Sequence, residues 1–342
     1  MIRIHFGEVL PDRPVIPLAL SCGLGSTHAY GHRKNALARL SERAPTLWAE
    51  SSLKEAQIVV YPHRFTDDAY TRAISATARN ANLPLLFFEH GDNENPAMPS
   101  HGTIYRTALD SRRLRPREAA MSGLSDDMLE GLHHPAEVSP ATTRPTVGFC
   151  GNVSGFTTDL KEAAQMRWHV LSATRLRRRA IAALSGSPRV ANQFLLRKRY
   201  WGGTVKGSEG GVGISDHTRS ALLRSEFVAN ILGNAYTLCV RGAGNYSIRF
   251  YEVLSAGRIP VFVDSHCVLP FSEAIDWKRH CVWVKASDVD QIADIVADFH
   301  SRLGPNGLAQ LQIDNRRIWL EYLEATAFYT RVIDLALNQA SS

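Results

Sequence analysis

Two hydrophobic periods alternate along the first third of the chain. Ile2–Phe6 (IRIHF), Ala56–Tyr61 (AQIVVY) and Pro84–Phe88 (PLLFF) are apolar at most positions and too short for helices. Such runs read as strands buried on both faces. Between them, Arg33–Ala49 and Asp67–Asn80 carry apolar residues at helical spacing. Strands alternating with helices predict a parallel sheet covered on both sides. After Phe88 the pattern lapses into EHGDNENPAMPSHG (89–102), a loop rich in Asn, Pro and Gly. EVSPATTRPT (137–146) is the best linker candidate.

The alternation restarts at Thr146–Gly151 (TVGFCG), a strand that ends in Gly. A helix near 172–185, the run QFLLRKRYW (193–201), the loop GGTVKGSEGGVG (202–213) and a helix from Ser215 to about 232 follow, the last opened by a Ser-Asp cap. Next come strand AYTLCV (235–240), loop RGAGN and helix SIRFYEVLSA. Gly257 is a stop, and strand IPVFV (259–263) succeeds it. A short helix near 271–277, strand CVWVK (281–285) and a helix over 288–302, with Ser287 and Asp290 as caps, lead to a last helical region at 307–338. This is an α/β chain of two Rossmann-like units. The expected boundaries are 1–145, 146–310 and a helical region, 311–342, that packs back on the first unit.

Length agrees with two cores, since 342 residues exceed what one usually serves. No apolar run reaches the roughly 20 residues that span a bilayer. MIRIHFGEVLPDRP lacks the apolar core of a secretory leader. The five Cys (22, 150, 239, 267, 281) include no Cys-x-x-Cys pair, so the expectation is a reducing, cytoplasmic setting without structural zinc. Charge changes the picture more. Residues 161–206 hold eleven Lys or Arg against one Glu, so the remainder of this +6 chain is net acidic. A solvated helix face, a phosphorylated substrate, an anionic membrane surface and nucleic acid are the alternatives. No helix-turn-helix, RRM or zinc-finger pattern accompanies the charge, which argues against nucleic acid.

The stretch RGAGNYSIRFYE (241–252) carries the most chemistry. A strand ends, a loop with Gly242 and Gly244 follows, and a helix begins near Ser247. Loop amides and a helix start offer donors to an anion, with Arg241, Asn245 and Ser247 at the same end. Arg249 and Glu252 then share one helix face. A carboxylate there accepts hydroxyls, as from a ribose, and a guanidinium forks onto phosphate. The bland alternatives are an ordinary Ser-capped turn and a surface ion pair. The G-x-G-x-x-G fingerprint of a dinucleotide oxidoreductase is absent, because position 247 is Ser and CGLGSTHAYG does not supply it.

SIRFYEVLSAGRIPVFVDSHCVLPF (247–271) resembles the C-terminal donor domain of exostosin-like glycosyltransferases. In that family Arg-x-x-Glu is followed by Leu, a small residue, Gly, Ile-Pro-Val and later Leu-Pro-Phe. Here these are Arg249, Glu252, Leu254, Ala256, Gly257, Ile259, Pro260, Val261, Leu269, Pro270 and Phe271, and IDW (275–277) also matches. Arg258 stands where the family usually has Cys. The resemblance is strongest over about 146–320 and loose before that. It implies a GT-B fold, two facing Rossmann-like domains with a cleft between them, the first on the acceptor side and the second holding the donor. It implies transfer of a sugar, with inversion, from a nucleotide diphosphate donor to a hydroxyl. A UDP-sugar is the expected donor and a glycan or lipid-linked glycan the expected acceptor. No cofactor and no obligatory metal are implied. Glu252 would hold the donor nucleotide or sugar, and Arg249 would lie near the diphosphate. Synthesis of a surface polysaccharide or glycoconjugate, at the cytoplasmic face of the inner membrane, is the expected setting.

Further candidates complete the reading. Gly151, Asn152 and Ser154 end the first strand of the second unit, where ligands of doubly wound sheets bind. Arg175 or another member of the basic block could reach the diphosphate. The base is sought among Glu89, His90 and Asp92, also just past a strand. The loop 21–32, with Gly23, Gly25, His28 and His32, is a second acceptor-side candidate. Arg112, Arg113, Arg115 and Arg117 recognise an acidic acceptor or brace the interface. Asp288 and Asp290 form the one Asp-x-Asp pair weighed as a metal site, and they read as a helix cap. A nucleotide- or glycan-binding protein without catalysis is the alternative function.

Overall fold

The computed structural model describes residues 1–25, 34–94, 97–130, 139–140, 142–153, 168–197 and 216–340. His28, His32, Ser154 and the loop 202–213 lie outside the described residues.

Strands β1 (Ile2–Phe6), β2 (Trp48–Glu50), β3 (Ile58–Arg64), β4 (Leu85–Glu89), β5 (Thr103–Arg106) and β6 (Glu118–Ala120) form a parallel sheet of order β2-β1-β3-β4-β5-β6. Helices α1 (Pro17–Ser21), α2 (Lys34–Leu47) and α3 (Ala69–Asn80) accompany it. Every residue of β4, and all of β3 save Arg64, is buried, as their continuous apolar runs require. Helix α3 starts where Asp68 and Thr71 cap each other reciprocally at 3.0 Å.

The second parallel sheet has order β11-β10-β9-β7-β8, from β7 (Thr146–Asn152), β8 (Ala191–Arg197), β9 (Tyr236–Cys239), β10 (Ile259–Asp264) and β11 (Val282–Lys285). Its helices are α4 (Trp168–Gly186), α5 (Asp216–Leu232), α6 (Ile248–Ser255) and α7 (Ile292–Ile318). A π-helical turn, Trp319–Leu323, leads into α8 (Ala325–Ala340). Glu324 caps α8 by accepting the N–H groups of Thr326 and Ala327 at 2.9 and 3.2 Å. Helix α8 lies on the first sheet: the Tyr329 ring meets Phe88 at 5.1 Å and Phe328 meets Tyr105 at 6.0 Å. One apolar cluster runs from Ile4 and Phe88 through Tyr329 to Phe250 and Trp277, so the two sheets share a core.

Several details depart from the sequence pattern, the first being that the helix expected over Arg33–Ala49 ends at Leu47 and Trp48–Glu50 form strand β2. Strands β5 and β6 close the first sheet although TIYR and EAA look polar. Arg106, 1% exposed, pairs with Glu118 at 3.0 Å, which neutralises the charge where the strands meet. No regular helix forms over 271–277. Phe271 has φ +54°, which breaks a right-handed helix, and only a 3-10 turn follows at Trp277–Arg279. Asp290 is not a cap: it forks onto Arg179 at 2.5 and 3.1 Å, while Ser287 donates to Asp288.

The carboxyl ends of the two sheets face each other. The loop after β5 meets the loop after β10, where the Ser111 N–H donates to His266 O at 2.8 Å. The loop after β4 meets the loop after β9 through Asp92 and Gly244, 3.1 Å apart. Two parallel α/β sheets opposed in this way make the GT-B arrangement.

A candidate active site at the facing strand ends

Helix α6 anchors the site. Its residues Phe250 through Ser255 are buried, and Gly257, at φ +63°, turns the chain directly into β10. Arg258, in the family's Cys position, is 5% exposed and donates to Leu232 O at 3.0 Å and to Gln312 at 3.2 Å. Ser247 stands at the helix start in an extended conformation, but its side chain makes no capping bond. Its carbonyl instead accepts the Phe250 N–H at 3.1 Å.

Asn245 has a different task from the one its position suggests. It is fully buried, donating to Leu109 O at 3.0 Å and Ser265 O at 3.1 Å, and accepting from the Ser265 hydroxyl at 2.6 Å. Both its N–H donors are thus used to tie the loop after β9 to the other sheet and to β10. It is a brace between the two sheets.

Arg249 projects toward the end of β7. Nη2 donates to Cys150 O at 2.7 Å, and the guanidinium lies 4.4 Å from the Phe149 ring centroid. Gly151 leaves room for this guanidinium, since a Cβ at that position would stand 2.7 Å from the same Nη2. Arg177 draws the neighbouring loop in, donating to Asn152 O at 2.7 Å and Arg241 O at 3.0 Å. Arg241 pairs with Glu94 and donates to Ala243 O at 2.9 Å. Arg241, Arg249, Gly151 and Asn152 therefore converge. Among the described residues, the buried Nε groups of Arg241 and Arg249 have no hydrogen-bond acceptor. Arg175 is exposed on α4, and among the described members of the basic block Arg177 reaches this locus, with Arg178 beside it on Val153 O.

Glu252 is 8% exposed on the same helix, with Arg224 Nη1 at 3.3 Å. Burial raises its carboxyl above the ordinary range, against the pull of Arg224 and then Arg249. Arg249 and Glu252 are each held by other partners.

Across the cleft, Glu89 closes β4 at 7% exposure. Its Oε1 is gripped by Arg64 from Nε at 2.7 Å and Nη2 at 2.6 Å. His90 is half-buried. Asp92 reaches the second sheet, its Oδ1 accepting the Gly244 N–H at 3.1 Å. Sequence reasoning did not single out Arg224, Arg177, Arg64 or Glu94. Their only signal was charge beside a strand end or in a helix.

The other basic groups are largely engaged locally. Arg112 forks onto Asp110, Arg115 onto Glu118, and Arg117 donates to Pro99 O and Gly102 O. Arg179 pairs with Asp290, Arg189 with Asp294 and Asp298, and Arg197 with Glu226. No described helix is long and apolar enough to cross a membrane.

Comparison with known proteins places this region. Residues 167–299 match the Exostosin GT47 domain. Exostosin-1 of Drosophila melanogaster is 37% identical over 73 residues, 21% of this chain and 10% of that protein. A probable glucuronosyltransferase of Oryza sativa subsp. japonica is 39% identical over 61 residues, 18% of this chain and 15% of that protein. The chain thus spans a small fraction of the length of these curated relatives. The crystal structure of a glycosyltransferase from Rickettsia africae ESF-5 aligns with a TM-score of 0.44 and 10% identity, over 98% of this chain and 97% of that one. The fold assignment rests on the sheet orders above and not on that likeness. The matched stretch, 167–299, holds Arg241, Arg249 and Glu252, so the part of the chain that carries the site is similar to the Exostosin GT47 domain.

Proposed function

We propose that the chain transfers a sugar from a nucleoside-diphosphate sugar, a UDP-sugar by expectation, to a hydroxyl of a glycan or lipid-linked glycan. One observation carries the reading: two guanidinium Nε groups, of Arg241 and Arg249, are buried beside a glycine loop without acceptors among the described residues. Buried cationic donors without acceptors are costly, and an anion with several oxygens satisfies them. A diphosphate fits that description. The Gly244 N–H adds a donor of the kind that lets phosphate approach a backbone closely.

In this reading residues 1–145 face the acceptor and 146–310 hold the donor. Glu252, ionised, accepts hydroxyls of the donor. Arg241, Arg249 and the loop amide stabilise the charge that gathers on the leaving diphosphate, the role a metal fills elsewhere. Asp92 is the base. Among the three candidates it is the one placed against the donor loop, whereas Glu89 is engaged by Arg64. The acceptor oxygen attacks the anomeric carbon, its proton passes to Asp92, and the bond to the diphosphate oxygen breaks. A single displacement from the opposite face inverts the anomeric centre. A cytoplasmic role in surface polysaccharide synthesis, with the exposed Arg175 face against anionic lipid, belongs to the same proposal.

A thermal-shift screen of nucleotides and nucleotide sugars tests it, because a ligand that binds the folded state raises its melting temperature. UDP and a UDP-sugar should raise it and NAD should not. A preference for NAD, or no response to any nucleoside diphosphate, contradicts the reading.

A further inference from the structure

Arg224 belongs to no motif, yet it stands between two carboxylates from distant parts of the chain. Its Nη1 is 3.3 Å from Oε1 of Glu252, and its Nη2 is 3.8 Å from Oδ2 of Asp126. The guanidinium lies 5.5 Å from the Phe227 ring centroid, and Arg249 lies at the same distance from that ring. Asp126 in turn accepts the N–H of Ala36 at 3.0 Å, in the first turn of α2. A continuous series of polar contacts therefore runs from a helix start of the first sheet, through Asp126 and Arg224, to the carboxylate on α6.

The charged and titratable surroundings of Glu252 can be named by element. Arg224 comes from α5, Arg249 from one turn earlier on α6, Asp126 from the segment after β6, and the Cys239 thiol from β9. Burial acts against its charge, Asp126 adds to that, and Arg224 opposes it more strongly than Arg249 does. A buried carboxylate deprived of its main cationic partner takes up a proton at higher pH. A protonated Glu252 becomes a donor and loses acceptor capacity toward sugar hydroxyls.

We infer that Arg224 is a positioning residue of the donor site: it holds the Glu252 carboxylate charged and oriented, and through Asp126 it fastens that carboxylate to the opposite sheet. What Glu252 grips rests on the proposed function; the pairing itself does not. The residue acts through Glu252 and need not touch the donor.

The test uses the full chain with Arg224→Ala, Arg224→Lys, Glu252→Gln and Arg224→Ala/Glu252→Gln. Affinity for UDP and a UDP-sugar is measured by calorimetry from mildly acidic to neutral pH, and melting temperature is followed over the same range without nucleotide. Arg224→Ala should weaken donor binding about tenfold, the scale of one charge-assisted contact. It should also move the pH at which binding fails upward, since Glu252 then protonates sooner as pH falls. Arg224→Lys, which keeps the cation, should leave the pH midpoint close to that of the unaltered chain. Arg224→Ala with unchanged affinity and an unchanged pH midpoint overturns the inference. If no nucleotide binds at all, the functional reading fails, and the melting data still decide the pairing. A pH-dependent effect of Arg224→Ala that disappears in the Glu252→Gln background upholds it, and the same effect in both backgrounds overturns it.

Discussion

Asp92 of the first sheet accepts the backbone N–H of Gly244 on the second sheet at 3.1 Å. Two residues on, Glu94 pairs with Arg241 across the same boundary. Carboxylates of one unit thus occupy the donors on the other that a diphosphate would need. On the proposed function, a bound diphosphate would replace these carboxylates as the partner of Arg241 and the Gly244 N–H, and Asp92, released from that N–H, would take the acceptor proton.

Glu94→Gln removes the charge that competes for Arg241. It is expected to tighten UDP binding by about three- to tenfold, the scale of roughly 1 kcal/mol for a partly exposed ion pair. Calorimetry with UDP checks this. Weaker binding would mean that Glu94 orients Arg241 for the nucleotide.

Gly151→Ala tests the placement of Arg249 without touching its charge. The new Cβ would stand 2.7 Å from Nη2, so the guanidinium must leave Cys150 O. Stability should fall by about 1 kcal/mol or less, because the clashing atom ends a long side chain, while donor KM should rise about tenfold. Melting and initial-rate measurements separate the two effects.

Asn245→Ala should behave as the loss of a brace. Two carbonyls, of Leu109 and Ser265, lose their donor, which costs about 2 kcal/mol or more. Denaturant unfolding should show that loss, with nucleotide affinity of the folded protein changed much less than by Arg249→Ala. An affinity loss equal to that of Arg249→Ala would return Asn245 to the donor contacts.

Glu252→Gln should raise stability at neutral pH while removing donor affinity. The Glu252 carboxyl is raised in the folded state by burial, so the folded protein binds the proton more tightly than the unfolded chain. The stability from this group is present below the unfolded carboxyl range and is lost as pH rises through the folded value. The melting temperature of the variant, relative to the unaltered chain, should therefore climb as pH rises through that window. A flat difference would show that Glu252 titrates as an ordinary carboxylate.

The sequence resolved those features whose cause is local. Continuous apolar runs disclosed β3, β4, β10 and β11, the alternating run IRIHF disclosed β1, of which only Ile4 and Phe6 are buried rather than both faces, and Gly257 marked the end of α6. Strands β5 and β6 were hidden because a buried Arg106–Glu118 pair does the work that apolar side chains do elsewhere. At the site, the spacing of Arg249 and Glu252 drew attention to α6. It gave no hint that Arg249 turns to Cys150 O while Glu252 turns to Arg224. Asn245 looked like a phosphate ligand because it follows two glycines, and only the position of Leu109 reveals the brace. Asp126 with Arg224 and Glu94 with Arg241 join loops and helices far apart in the chain, a kind of contact that no periodicity reports.

Donor turnover tests the central claim most directly. The full chain is incubated with a panel of nucleotide sugars, and release of nucleoside diphosphate is followed with and without glycan acceptors. The proposal predicts slow release without acceptor and faster release with one. Asp92→Asn should lower the acceptor-dependent rate by a hundredfold or more, on the order expected for loss of a general base, and leave nucleotide binding as tight or tighter, since a competing carboxylate is removed. Arg249→Ala should lower both rate and binding. Binding of nucleotide sugars with no release of nucleoside diphosphate under any condition would contradict transfer and make the protein a binding module on this fold.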